Sequence, residues 1–156
     1  MKKIFSLSLV GLMMFSMIPT AFAADVGGNW SGGTAVVYGD DVDEINGGAG
    51  TEAYTVTVPA KMNPNQTVTG GVSAEGTLPA TKKLVVTASD SVVLTCGNNS
   101  KTLTITGGDL VMNGSNIEAV SAAVDIAVSD FAVGDAPLFG EWSGTITYTA
   151  AIENIA

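Results

Sequence analysis

The sequence predicts an all-β protein built as a single antiparallel β-sandwich, with a partly open β-barrel as the alternative architecture. Two observations carry this expectation. Apolar and polar residues alternate with period two over most of the chain beyond residue 51, while the 3.6-residue rhythm of an amphipathic helix is almost absent. Clusters of Gly, Asn, Ser and Asp interrupt the alternation at intervals of roughly eight to twelve residues, the spacing of sandwich strands.

The first segment is of a different kind. Met1-Lys2-Lys3 is followed by an apolar run from Ile4 to Met17, then by Ile18-Pro19-Thr20 and the small-residue pattern Ala21-Phe22-Ala23. This is the three-part layout of a secretory signal, cleaved after Ala23. No charge falls between Ile4 and Ala24, so a membrane anchor is the competing reading. Pro19 and the Ala-x-Ala ending favour cleavage. The expected division is therefore a signal peptide over 1–23, a Gly-rich arm over 24–51 and a sandwich domain over 52–156. No later segment is apolar for long enough to span a bilayer as a helix. The expected location is secreted, extracellular or at the cell surface.

The arm holds eight glycines around one short apolar-rich stretch, residues 34–38. Glycine loses the most conformational entropy on ordering, so the arm is expected to be mobile unless it pairs with a sheet. Inside it, Gly28-Asn29-Trp30-Ser31-Gly32 echoes Gly140-Glu141-Trp142-Ser143-Gly144. Each Trp is followed by apolar residues of its own parity, Val36 and Tyr38 in one case and Ile146 and Tyr148 in the other. Chance repetition of a strand-entry pattern competes with the reading that both segments can occupy equivalent edge positions.

In the domain, Tyr54, Val56 and Val58 alternate with threonines before Pro59 ends the run. Leu84, Val86 and Ala88 share a face, and Val92, Leu94 and Cys96 follow after a bend at Ser89-Asp90. Gly97-Asn98-Asn99-Ser100 is a turn by composition, so Ser91–Cys96 and residues 101–106 form a hairpin. Leu110 and Met112 mark a short strand. Residues 119–129 alternate as Val124, Ile126 and Val128, which a strand explains better than their Ala content explains a helix. The connection over 130–138 leads to a long last strand, residues 141–152. It carries Trp142, Ile146, Tyr148, Ala150 and Ile152 on one face and Ser143, Thr145, Thr147 and Thr149 on the other. Threonine on the outer faces favours extended chain and tolerates water.

Composition excludes several chemistries. There is no His and no Arg, so no His-paired nucleophile, no His general base and no usual zinc site can form, and a nucleic-acid groove lacks its cations. Beyond residue 23, four lysines stand against fifteen acids, a net charge of −11. Asp40, Asp41 and Asp43 sit at the densest acidic cluster. Oxygen ligands at alternate positions suit calcium, but Ile45 falls where a third ligand belongs, so a solvated loop is favoured and calcium is the minor alternative. Cys96 is alone; it reads as a small apolar residue on an inner face, with an intermolecular bridge or a reactive thiol as the alternative. Aromatic residues make up 6% of the chain, few for the platforms of a sugar cleft. The expectation is a non-enzyme that needs no cofactor.

The run Gly140-Glu141-Trp142-Ser143-Gly144-Thr145-Ile146-Thr147-Tyr148-Thr149 resembles the closing strand of immunoglobulin-like bacterial pilin and spore-coat-type subunits. Together with Tyr54-Thr55-Val56-Thr57-Val58-Pro59 and the stretch from Leu78 to Val86, it is also similar to a group of small secreted Firmicutes proteins of undefined role. The likeness covers about residues 52–150. It implies an immunoglobulin-like sandwich that polymerises when an N-terminal arm of one subunit completes the sheet of the next, with residues 34–38 as that arm. The arm is poorer in large alternating residues than a long donor strand, and residues 153–156 lack the aromatic-rich ending of chaperone-assembled pilins. The expected function is thus a structural or adhesive surface protein whose partners are like subunits or cell-envelope proteins. The alternative is an extracellular carbohydrate-binding module reading polysaccharide through Trp30 or an exposed Tyr. Trp30, Val36, Tyr38, Trp142 and Tyr148 are the candidate binding or assembly residues.

Overall fold

In the computed structural model, residues 20–30, 42–114, 119–129, 131 and 140–156 are described. They form an all-β protein: eleven strands and one 3-10 turn, Gly50–Glu52. The strands are β1 (Thr20–Trp30), β2 (Val42–Gly47), β3 (Tyr54–Pro59), β4 (Lys61–Met62), β5 (Gln66–Thr77) and β6 (Lys82–Ala88). They continue with β7 (Ser91–Cys96), β8 (Asn99–Gly107), β9 (Leu110–Asn113), β10 (Ala119–Val128) and β11 (Gly140–Asn154).

Pairing runs in the order β2-β3-β5-β10-β8-β7-β11-β1-β4, with β6 laid on β11 and β9 on β6. The path does not close. Every pair is antiparallel except the two-residue bridge of β1 with β4. Strand β8 joins the two halves. Its first part pairs with β7 from Asn99 to Thr104, and its last residues, Ile105 to Gly107, pair with β10.

Alternation places the core between the halves. Val56, Val58, Val72, Ala74, Ile126 and Val128 come from one, and Leu84, Val86, Val92, Leu94, Leu110, Met112, Trp142, Ile146 and Tyr148 from the other, all in one buried cluster. Burying each large aliphatic among them is worth about 1.5–3 kcal/mol. Thr87, Thr95, Thr102, Thr104, Thr145 and Thr147 occupy the alternate positions and are exposed.

The hairpin of β7 and β8 turns more tightly than composition suggests. Asn99 and Ser100 belong to β8, and Cys96 pairs directly with Asn99, leaving a two-residue turn of Gly97 and Asn98. Gly97 adopts φ +58, which a two-residue hairpin needs at its first central position and which a side chain disfavours. β2 lies within the segment expected as an arm, and β1 runs from the end of the expected signal peptide, Thr20, into that arm. β2 pairs along all of β3, and β1 along β11, so the sheet begins well before residue 52.

Strand β5 has no counterpart in the sequence reading. Its pattern is broken by a bulge, where Val124 pairs with Val72 but Ile126 pairs with Val68. Gly70, at φ +63, and Gly71 supply the extra residues, and Asp125 sits opposite them.

Candidate assembly surface

Strand β11 organises one half of the molecule because both of its edges are used. On one edge it pairs with β7 at Ser143 and with β6 from Tyr148 to Asn154. On the other it pairs with β1 over all eleven residues of that strand, Thr20 opposite Ala150 and Trp30 opposite Gly140. The pairing has its own local logic. Gly28 lies opposite Trp142, Asn29 opposite Glu141 and Trp30 opposite Gly140. The Gly-x-Trp parts of the two repeated segments, residues 28–30 and 140–142, are thus antiparallel neighbours, each tryptophan in register with the other's glycine.

Trp142, Ile146, Tyr148 and Ala150 are fully buried. The Phe131 ring packs on Trp142 with centroids 5.0 Å apart and planes at 58°, a tilted arrangement favoured by aromatic quadrupoles. Burial pushes the Tyr148 phenol pKa upward, because the phenolate loses its hydration there. Gly144 shares the inward parity, and a Cβ at that position would run into the Val93 carbonyl oxygen and meet Val92 Cγ2 at 2.9 Å. The glycine is therefore what lets β11 lie close on β7.

Trp142 and Tyr148 are buried in the core, and the outer face of β11 exposes Glu141, Ser143, Thr145 and Thr147. Trp30 ends β1. Val36, Tyr38, Asp40 and Asp41 lie outside the described residues, as do residues 34–38 as a whole. Asp43 belongs to β2, opposite Val58. Among the described residues no group of three His, Cys, Asp or Glu side chains could hold a metal ion. Cys96 is a half-buried free thiol against the core cluster.

Two shallow grooves flank β3. One, of about 580 Å³, is lined by Asn46, Tyr54, Thr55, Glu75 and Thr77. Its single aromatic, Tyr54, is 7% exposed, so it offers no ring face for a sugar to stack on. The other, of about 240 Å³, opens where β3 and β5 diverge beyond the Thr57 and Ser73 pair, among Pro59, Lys61, Gln66 and Val68. No described helix is long and apolar enough to cross a membrane.

The sequence reading missed the register of β1 on β11. The signal for it was the repeated Gly-x-Trp-Ser-Gly segment, whose Gly-x-Trp parts pair. Compared with known proteins, the chain matches no family model, no curated protein and no solved structure.

Proposed function

We propose that this is an exported structural or adhesive protein of the cell surface, a pilus- or coat-like subunit that assembles with like subunits or envelope partners through β-strand contacts. One observation carries the reading. The N-terminal strand β1 lies along an edge of the longest strand, β11, and straddles the Ala23/Ala24 junction at which the leader is expected to be cut. Export thus alters the very strand that covers this edge, and an uncovered edge is a template for another chain. The threonine-lined outer faces and the lack of His and Arg fit a protein whose work is contact rather than turnover.

The test is fractionation of producing cells followed by intact mass measurement. The reading expects the chain outside the membrane, beginning at Ala24 and recovered in species heavier than one chain. Recovery from the cytoplasm with Met1 retained contradicts it. Of the rings the carbohydrate reading could use, Trp142 and Tyr148 are buried, and Tyr38 lies outside the described residues.

A further inference from the structure

We infer that two processed chains join through the C-terminal half of β11, paired antiparallel about Ala151 into one continuous sheet. The inference rests on the export reading, because it requires that nothing precede Ala24.

The register defines what processing uncovers. Ala24 lies opposite Ile146, and residues 20–23 lie opposite 147–150. Cleavage after Ala23 removes those four residues and everything upstream, and no described residue then pairs with the β1-side edge of β11 from Thr147 to Asn154. That is eight residues, longer than a typical strand, with no proline to blunt it. Its one charge, Glu153, is already engaged by Lys83 at 3.2 Å.

The uncovered edge suits a second copy of itself. With Ala151 on a two-fold axis, Ala150 falls opposite the partner's Ile152, Thr149 opposite the partner's Glu153 and Tyr148 opposite the partner's Asn154. Parity is kept, so inward residues stay inward, and no like charges face each other. The rows then run on across the junction. Ala151 is in register with Val85 and Val85 with Val111, an outer-face apolar row that ends in a 55% exposed Val111. Across the axis it meets its own copy. On the inner face, Met112, Leu84 and Ile152 lead into the partner's Ala150, Val86 and Leu110. The partner's strand ends at Asn154 opposite Tyr148 and Ala24 begins opposite Ile146, so the partner's Ile155 takes the position opposite Thr147 and its Ala156 turns off the sheet. Such an isologous contact closes at two chains.

The experiment places Ala151→Cys in a Cys96→Ser background of the secreted protein. Opposed residues in an antiparallel sheet have Cα atoms about 4.5–5.5 Å apart, within the span of a disulfide. Air oxidation is expected to convert most of the Ala151→Cys chain to a covalent dimer, while Val93→Cys, exposed on β7, stays largely monomeric. Sedimentation of the Cys96→Ser protein, which leaves position 151 untouched, is expected to give twice the chain mass. Intact mass of the same sample reads the N-terminus. A chain that starts at Ala24 yet sediments as a monomer, and cross-links no faster at 151 than at 93, overturns this interface and leaves the export reading standing. A secreted chain that keeps residues 20–23 overturns the interface, because the edge stays covered, and leaves export standing; a chain recovered from the cytoplasm with Met1 retained overturns both.

Discussion

Asp125 Oδ1 accepts a hydrogen bond from the Gly70 amide at 2.9 Å, across 55 residues of chain, and so pins the bulge where β5 and β10 change register. The carboxylate supplies the acceptor that the interrupted ladder lacks. Asp125→Ala is expected to lower stability by about 1 kcal/mol, and Asp125→Asn by less because an acceptor remains. Urea unfolding measures both, and faster hydrogen exchange at the Gly70 amide locates the effect. Equal losses in the two variants would count against this role.

Gly144 and Gly97 separate two reasons for a glycine. Gly144→Ala is expected to cost about 1–3 kcal/mol by overpacking, because the Val93 carbonyl and the Val92 and Leu94 side chains occupy the space. Gly97→Ala meets nothing within 4 Å but must hold φ +58, a penalty of about 1–2 kcal/mol. A Val92→Ala change should recover part of the Gly144→Ala loss and none of the Gly97→Ala loss. Thermal denaturation of the double variants decides between them.

Phe131 packs its ring against Trp142. Phe131→Ala is expected to destabilise by about 3 kcal/mol or more, the cost of an emptied aromatic site. Near-ultraviolet circular dichroism should weaken in parallel, because Trp142 loses the ring that orients it. Phe131→Leu, which keeps most of the volume, should restore the greater part of the stability and little of the dichroism.

Alkaline stability follows from Tyr148. Its folded-state pKa is raised by burial, whereas an unfolded tyrosine ionises near pH 10. The unfolded chain therefore sheds a proton that the folded chain keeps. Stability from this group is intact below pH 10 and falls above it by about 1.4 kcal/mol per pH unit until the folded phenol ionises. Denaturant midpoints measured between pH 9 and 11 should show this decline, and Tyr148→Phe should make it shallower.

How much of this was legible beforehand varied with the chemistry of each strand. β3 and β11 were readable because one face is apolar and the other threonine-rich, and β6 and β7 because Leu84, Val86 and Ala88, or Val92, Leu94 and Cys96, keep one apolar face, so period two survives in the sequence as it does in the sheet. Residues 119–128 were readable as a strand for the same reason, despite their alanines. β5 was not, since Gly70, Gly71 and Gly76 leave gaps in its inner face and the bulge shifts parity partway along. β2 carries Asp43 and Glu44 next to glycine, a composition that reads as loop and becomes strand only because β3 offers an edge along its whole length. β1 was hidden by the leader pattern, which explains residues 20–23 without any reference to a sheet. The site was legible only in part. The repeated Gly-x-Trp-Ser-Gly segments are visible in the sequence, but that residues 28–30 pair with 140–142 is a matter of register, which no local pattern encodes.

Native mass spectrometry of the protein recovered from outside the cell tests the central claim most directly, because one spectrum reports both the processed end and the number of chains. The account predicts chains of residues 24–156 in complexes of at least two copies. Chains that retain residues before Ala24, or processed chains that stay single at every concentration examined, would contradict it.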